Sequence, residues 1–302
     1  MITLASDFGS PYPAAMRGVI ARRCDASVID VAHDFPRQDV RAAAFWLGEV
    51  LPYVPPAVHC AVVDPGVGTD RDAIVLRAGR HLVVAPDNGL ADPVARRLAG
   101  PTPTAGAGLR GVDPAAAREA GSAVDGDGSA ADAPTVDAYR VLVDAPESAT
   151  FHGRDVFAPV AAELHRREAF GGPEGSPTDG ATGGRSDPLA AVPFLEAVET
   201  IERLRFPEPE LSSEGAIGEV LVVDGFGNVI TNVPGGVLDG RESVRVDDRP
   251  VPVGRSFATV PEGQWLATVG SHGNVELAVN RGSGAAAFGL ESGDPVVIEY
   301  VR

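Results

Sequence analysis

The chain has 302 residues, 44% of them hydrophobic, which is enough for a sizeable core and for about two domains. Its net charge is −17, from 42 acidic and 25 basic residues, and every basic residue is arginine because the sequence contains no lysine. The negative electrostatic field of such a charge repels nucleic acid and anionic membranes, so we expect neither as a partner. We expect a soluble, cytoplasmic protein, because no apolar run reaches the length of about 18 residues that suggests a membrane span and the first residues resemble a strand rather than a signal peptide.

Up to about residue 169, β-rich runs alternate with helical patterns, which indicates a layered α/β domain with a mostly parallel sheet. Two helices are predicted early in this domain: one starts at Pro13 and runs to Arg23, and Asp39 caps another over Val40–Val50. The predicted strands are Ile2–Ser6, Ser27–His33, Ala57–Asp64, Ala73–Ala78, His81–Ala85 and Tyr139–Val143.

Two segments interrupt this order, at about residues 100–134 and 171–188, and their small and polar composition predicts flexible surface insertions. Beyond about residue 209, short alternating runs predict a second, all-β, barrel-like domain. We place the domains at residues 1–200 and 201–302. The strands predicted in the second domain are Ile217–Asp224, Val229–Val233, Ser243–Val246, Trp265–Val269, Val275–Val279 and Pro295–Val301.

The loop after the third predicted strand brings a carboxylate, two glycines and an arginine together, in the sequence Asp64-Pro65-Gly66-Val67-Gly68-Thr69-Asp70-Arg71. Ligands bind at the carboxyl ends of the strands in open α/β sheets, and the glycines let the backbone approach a polar group. A tight turn capped by Asp64 would give the same pattern.

Other loops carry weaker signals. Pro86-Asp87-Asn88-Gly89 follows a strand, and His152 lies where a helical stretch begins, where an imidazole can act as a base. In the second domain, Asp224-Gly225-Phe226-Gly227-Asn228 and Ser271-His272-Gly273-Asn274 each precede a strand. Each pattern also has a structural explanation: a helix cap or salt bridge, which is the more common role, for His152, and a turn for each of the others.

Taken together, the motifs resemble the S-adenosylmethionine hydroxide adenosyltransferase family, the water-using relatives of fluorinase and chlorinase enzymes. The resemblance extends over nearly the whole chain outside the two insertions. The matching motifs begin at Ser6-Asp7-Phe8-Gly9, Met16-Arg17-Gly18, Val62-Val63-Asp64-Pro65, Ala85-Pro86-Asp87-Asn88, Thr150-Phe151-His152-Gly153, Asp224-Gly225-Phe226 and Val279-Asn280-Arg281-Gly282.

The resemblance implies hydrolysis of S-adenosylmethionine to adenosine and methionine by a homotrimer, whose active site lies between one subunit's first domain and a neighbour's second. It implies that Asp64, Arg71 and His152 activate the water. It also implies a substrate-binding set comprising Asp7, Phe8, Ser10, Asn88, Asp224, Phe226, Asn228, Ser271 and Asn280.

Two positions depart from the family pattern. The loop after Gly9 is shorter and lacks the family's ribose-binding aspartate, so Asp7 or Ser10 is the candidate for that contact. His272 stands where halogenating relatives carry arginine.

We expect no metal and no cofactor, because the six histidines are scattered without metal-ligand spacing. Two functions are alternatives to hydrolysis: a halide-using enzyme of the same fold, and a non-catalytic sensor of S-adenosylmethionine or adenosine.

The acidic, lysine-free composition predicts a halophilic protein, because concentrated salt screens repulsion between like charges. We expect the melting temperature and the activity to rise between dilute buffer and molar potassium chloride. Melting curves recorded across that range provide the test. A melting temperature that stays constant or falls would contradict the prediction.

Overall fold

The computed structural model describes residues 1–100, 136–143, 146–167 and 189–301. The chain divides into two compact units, Met1–Leu204 and Arg205–Arg302. The two predicted insertions lie outside the described residues, apart from Gly100. Within the described ranges, no helix has both the length and the apolar character to cross a membrane.

The first unit is built on a mixed sheet whose described strands have the order β2-β1-β3-β5-β4-β6-β7. β2, β1, β3 and β5 pair in parallel, whereas β4 pairs antiparallel with β5 and β6, and β7 with β6. Five of these seven strands therefore point the same way, and the α/β class is confirmed. The strands are β1 Ile2–Ser6, β2 Val28–Ala32, β3 Val58–Val62, β4 Ala73–Ala78, β5 His81–Pro86, β6 Val136–Val141 and β7 Leu195–Ala197.

Helices cover this sheet because the central strands are apolar on both faces; all five residues of β3, for example, are buried. The predicted cap of the second helix is confirmed, since the Ala42 N–H donates to Asp39 Oδ1 at 2.8 Å. A π-helical segment, Gly153–Phe157, leads into the fourth helix. The helices are α1 Tyr12–Ala21, α2 Val40–Val50, α3 Ala91–Ala99 and α4 Ala158–Arg166.

The topology places the polar loops at one edge of the sheet. β1, β3 and β5 are neighbours and parallel, so the residues that follow them, Asp7, Asp64 and Asp87, lie at the same carboxyl edge. β4 runs the opposite way and Ala73 pairs with Pro86, so Arg71, just before β4, reaches this edge as well. In the strand order, the strand that follows β1 in sequence lies towards one end of the sheet, and the strands that follow β3 lie towards the other end. In open α/β sheets, the point where the order reverses in this way forms a crevice that binds ligands.

The second unit is a nearly closed barrel of eight strands in the order β12-β11-β15-β9-β10-β14-β13, with β8 paired to β9. A bridge between Val253 and Ala267 links the two ends of this order, so an all-β, barrel-like fold is confirmed. A short helix, α5, spans Gly284–Phe288. The strands are β8 Glu210–Leu211, β9 Gly215–Val223, β10 Val229–Pro234, β11 Ser243–Val246, β12 Arg249–Pro252, β13 Trp265–Val269, β14 Asn274–Val279 and β15 Pro295–Tyr300.

Two histidines on neighbouring strands of the first unit are in contact, the buried His59 on β3 and the half-buried His81 on β5. Thr3 Oγ1 lies 2.9 Å from His59 Nδ1, and His59 Nε2 lies 2.8 Å from His81 Nδ1. Burial, and secondarily the neighbouring His81, lowers the pKa of His59 to about 3. On the same strand, burial raises the pKa of the Cys60 thiol to about 12, so this thiol stays protonated at neutral pH.

This histidine pair predicts acid-dependent stability. The unfolded chain binds a proton at His59 below about pH 6.5, whereas the folded chain binds it only near pH 3. From about pH 6.5 down to pH 3, His59 therefore removes up to ~1.4 kcal/mol of unfolding free energy per pH unit. Urea titrations across this range should show a shallower pH slope for His59→Gln than for the wild type.

Cys60→Ala is the matched control on the same strand, because it removes packing without removing a group that titrates below neutral pH. It should lower stability and keep the wild-type slope. Equal slopes for His59→Gln and the wild type would show that His59 does not titrate as described.

Candidate active site at the carboxyl edge

An ion pair between Asp64 and Arg71 lies at the carboxyl edge of the first unit. Arg71 Nη1 donates to Asp64 Oδ1 at 2.6 Å, and the Gly66 N–H donates to the same oxygen at 3.0 Å. The Asp64 side chain is 7% exposed, whereas that of Arg71 is 27% exposed. A buried carboxylate is costly unless it is paired, and here an arginine that solvent can still reach pairs with it.

Two glycines allow this loop to close around the ion pair. A Cβ on Gly66 would lie 2.3 Å from Arg71 Nη2, so any side chain at this position would displace the guanidinium. Gly68 has a φ of +82°, and a Cβ there would lie 2.7 Å from the Ala149 carbonyl oxygen. The Asp64–Arg71 loop therefore packs directly on the segment that carries His152.

The His152 segment also contacts the loop after β1. Phe8 packs edge-on against Phe151, with ring centroids 5.8 Å apart, and a Cβ on Gly153 would lie 2.8 Å from the Phe8 ring. His152 itself is half-buried. The loops that carry Asp64, Arg71 and His152 therefore share one packed neighbourhood at the sheet edge.

Arg154 and Asp155, next to His152, pair with each other and with the preceding loop. Arg154 Nε donates to Asp155 Oδ1 at 2.5 Å, and the Ser148 N–H donates to Asp155 Oδ2 at 3.0 Å. Hydrogen bonding from Arg154 holds the pKa of Asp155 below its usual range. The salt bridge that the sequence left open thus joins Arg154 and Asp155 rather than His152, and among the described residues no side chain caps the π-helical segment or α4.

The other candidates of the first unit lie at the same edge and differ in how many hydrogen bonds they make to the rest of the protein. Asp7 Oδ2 accepts a hydrogen bond from the Gln38 N–H at 2.7 Å, and Ser10 is exposed. The Asn88 Nδ2 donates to the Val63 carbonyl at 2.8 Å, and its Oδ1 accepts from the Leu90 N–H at 3.1 Å. Asn88 therefore already binds the backbone next to Asp64.

In the second unit, the candidates line one cavity of about 850 Å³. Asp224 accepts hydrogen bonds from the backbone N–H groups of Phe226 and Asn228 and from the Asn228 side chain, all at 2.8–2.9 Å. The Phe226 side chain is 84% exposed. Asp224 thus holds its own turn and also faces the cavity. The candidates that line the cavity are Asp224, Phe226, Asn228, Ser271 and Asn280.

Sequence reasoning missed several further residues of this cavity, including Arg255, Phe257 and Glu276. Glu276 is buried and lies 3.5 Å from the His272 ring nitrogen Nε2. The signal for it was a carboxylate in the middle of the otherwise apolar β14. Arg255 lies in a loop and Phe257 begins a single 3-10 turn, and neither segment is long enough for periodicity to give a guide.

Among the residues that the structure describes, no group of three or more histidine, cysteine, aspartate or glutamate side chains is arranged to hold a metal ion.

Comparison with known proteins identifies both units. Residues 2–108 match the family model of the SAM hydroxide adenosyltransferase N-terminal domain, and residues 218–297 match that of its C-terminal domain. A Thermus thermophilus protein named (R)-S-adenosyl-L-methionine hydrolase is 42% identical, over 96% of both chains. A Salinispora tropica protein of the same name is 38% identical, over 97% of this chain and 95% of that one.

Solved structures agree with this assignment. A crystal structure of an uncharacterized conserved protein from Thermotoga maritima superposes with a TM-score of 0.71 at 28% identity, over 99% of each chain. One of a conserved hypothetical protein from Thermus thermophilus gives 0.64 at 37% identity, over 98% of each. Because both domain models match in order and relatives match nearly the whole chain, the protein belongs to the SAM hydroxide adenosyltransferase family.

Proposed function

We propose that this protein hydrolyses S-adenosyl-L-methionine to adenosine and L-methionine. The observation that carries the proposal is the Asp64–Arg71 ion pair at the carboxyl edge of the sheet, with the His152 segment packed against its loop. The relatives named (R)-S-adenosyl-L-methionine hydrolase, matched over nearly the whole chain, support the same reaction.

The reaction needs an activated nucleophile more than an acid. The sulfonium leaves the 5′ carbon with the electron pair of the breaking C–S bond and becomes a neutral thioether, so no proton is needed on sulfur. The new bond forms between the 5′ carbon and the oxygen of water, whose pKa in bulk is about 15.7. The catalytic task is therefore to stabilise developing hydroxide and to accept its proton.

The three edge residues are suited to divide this task. The Arg71 guanidinium stabilises negative charge on the attacking oxygen, and the Asp64 carboxylate accepts the proton and passes it to solvent. His152 orients the water in line with the carbon and sulfur. The proposed mechanism assigns no step to a metal or a cofactor, because these residues supply the charge and the proton acceptor.

Substrate binding is assigned to the remaining candidates. In the second unit, Asp224, Asn228 and Ser271 bind the methionine end of the substrate. Phe226 and Asn280 line the same cavity as these residues. In the first unit, Asp7 or Ser10 binds the ribose, and Phe8 and Asn88 shape the surrounding edge. Asp224→Ala would also remove the hydrogen bonds that hold its turn, so Asp224→Asn is the better probe of ammonium binding.

We also propose that the enzyme is a cytoplasmic homotrimer adapted to salt. The exposed Phe226 ring at the second-unit cavity is accessible to a neighbouring subunit in such an assembly. The charge of −17 supports the salt adaptation.

Hydrolysis predicts the origin of one oxygen atom. In water enriched in heavy oxygen, the adenosine product should carry the label at its 5′ oxygen, and methionine should form in equal amount. Mass spectrometry of the products measures both. Unlabelled adenosine, or a 5′-halogenated product in concentrated chloride, would refute water as the nucleophile.

Replacing Asp64 should affect the chemical step. Asp64→Asn keeps the side-chain shape and removes the charge, so kcat should fall by roughly 10²–10⁴, the usual range for a positioned acid–base group, while KM changes little. Asp70→Asn, in the same loop but exposed, is the control and should keep the wild-type kcat.

Because the pair acts as a unit, Asp64→Asn combined with Arg71→Ala should cost little more than the worse single variant. Steady-state kinetics on the four proteins measures this coupling. A normal kcat with only a raised KM in Asp64→Asn would make Asp64 a binding residue.

A further inference from the structure

Three segments of the first unit converge on the loop Asp87–Gly89. The Asp87 N–H donates to the Asp72 carbonyl at 2.9 Å, next to Arg71 in sequence. The Asn88 side chain donates to the Val63 carbonyl at 2.8 Å, next to Asp64. The residues next in sequence to Arg71 and to Asp64, Asp72 and Val63, are therefore both hydrogen-bonded to this loop.

The third segment is the stretch of chain just before the first unit ends at Leu204. Asp87 Oδ1 accepts a hydrogen bond from the Glu202 N–H at 2.9 Å. A Cβ on Gly89, whose φ is +88°, would lie 3.0 Å from the Leu204 Cβ, so the absence of a side chain lets this segment lie directly on the loop. The segment has no helical or strand hydrogen bonds of its own, so the Asp87 contact anchors it.

The convergence borders an open pocket of about 470 Å³ beside Arg71, lined by Arg71, Asp72, Asp87, Asn88 and Glu202. Burial raises the pKa of Asp87, and the carboxylates of Glu202 and Asp72 act in the same direction, while the Glu202 N–H and Arg71 oppose them. Asp87 is therefore a half-buried carboxylate that bonds the Glu202 backbone beside Arg71. Its distance along the chain from Glu202, 115 residues, makes it a long-range tie.

We infer that Asp87 is a positioning residue for the Asp64–Arg71 pair, anchoring residues 202–204 and, through its own loop, holding the backbone beside Asp64 and Arg71. This inference rests on the proposed function, because it assigns the role of that pair to catalysis. Asp87 acts through hydrogen bonds to the protein and does not itself contact the reacting atoms. Misplacement of a catalytic group by a fraction of an ångström lowers the rate without abolishing binding.

The test uses the full-length protein with Asp87→Ala, Asp87→Asn and, as a control, Arg203→Ala, which leaves the backbone of the anchored segment unchanged. The first readout is hydrogen–deuterium exchange of a peptide covering residues 62–72. Its amides include the Gly66 and Thr69 N–H groups, which are protected by hydrogen bonds. Asp87→Ala should speed exchange there by about tenfold, as expected for loss of one hydrogen bond to a charged group.

Asp87→Asn retains an oxygen that can accept the Glu202 N–H, so it should exchange nearly as slowly as the wild type and the Arg203→Ala control. If Asp87→Ala fails to fold, Gly89→Ala perturbs the same junction from the other side, since its Cβ would crowd Leu204. Unchanged exchange in the folded variant, Asp87→Ala or Gly89→Ala, would overturn the inference.

The second readout is steady-state kinetics. Asp87→Ala should lower kcat by about tenfold or more with KM within about twofold, and Asp87→Asn should restore most of the rate. In an Asp64→Asn background, Asp87→Ala should cost less than about twofold, because the residue it positions is already disabled. If the fold losses in kcat of Asp64→Asn and Asp87→Ala multiplied fully in the double variant, the role of Asp87 would be independent of Asp64 and merely structural.

The two readouts separate this inference from the proposed function. If the wild type releases no adenosine from S-adenosylmethionine, the proposed function fails, and the exchange measurement still decides whether Asp87 holds the 62–72 loop. If the wild type is active but the exchange of this loop does not respond to Asp87, only the positioning role fails.

Discussion

Burial of the Asp64 carboxylate is the constraint on which the edge of the first unit depends. Removing an ionised carboxylate from water costs several kcal/mol unless a counter-charge and hydrogen bonds compensate. Arg71 supplies the charge and the Gly66 N–H supplies one of the hydrogen bonds. The neighbouring glycines and the hydrogen bonds to the 87–89 loop allow the Asp64–Arg71 loop to bring both partners to one point.

The direction of β4 makes this pairing possible. If β4 continued the parallel series, its amino end would lie at the opposite edge of the sheet, and Arg71 would be separated from Asp64 by the length of a strand. Because β4 and β5 form an antiparallel hairpin, Ala73 sits beside Pro86, and the residues before β4 and after β5 meet. The reversal of β4 therefore brings the connection before β4 and the connection after β5 together at this edge.

Much of this arrangement could be predicted from the sequence, and the exceptions have physical causes. Asp64 was placed correctly at the carboxyl edge because the run of apolar residues before it is unambiguous. The reversal of β4 had a signal in the two-residue link Gly79-Arg80, since only antiparallel strands can be joined so tightly. α3 was not predicted, although its buried Ala91, Val94, Ala95 and Leu98 have helical spacing. The tie between Asp87 and Glu202 spans more than a hundred residues, and no local pattern reports such a contact.

The second unit shows how one carboxylate can serve both structure and recognition. Asp224 holds the turn that displays Phe226, and it faces the cavity at the same time. The sequence left a turn and a binding site as alternatives for this motif, and the geometry is compatible with both. Such double use confines the side chain to one orientation, which favours recognition because little rotamer freedom remains to be lost when a ligand arrives.

The contact between Gly68 and the Ala149 carbonyl has a consequence for protein engineering. Loops that depend only on their own residues can be transplanted into a new scaffold, but the Asp64–Arg71 loop takes part of its shape from a backbone more than seventy residues away. A graft that carried residues 64–71 alone would bring the carboxylate and the guanidinium without the surface against which they are held. A portable version of this site would need residues 147–153 and the 87–89 loop as well, so its smallest transferable unit is the sheet edge rather than the motif.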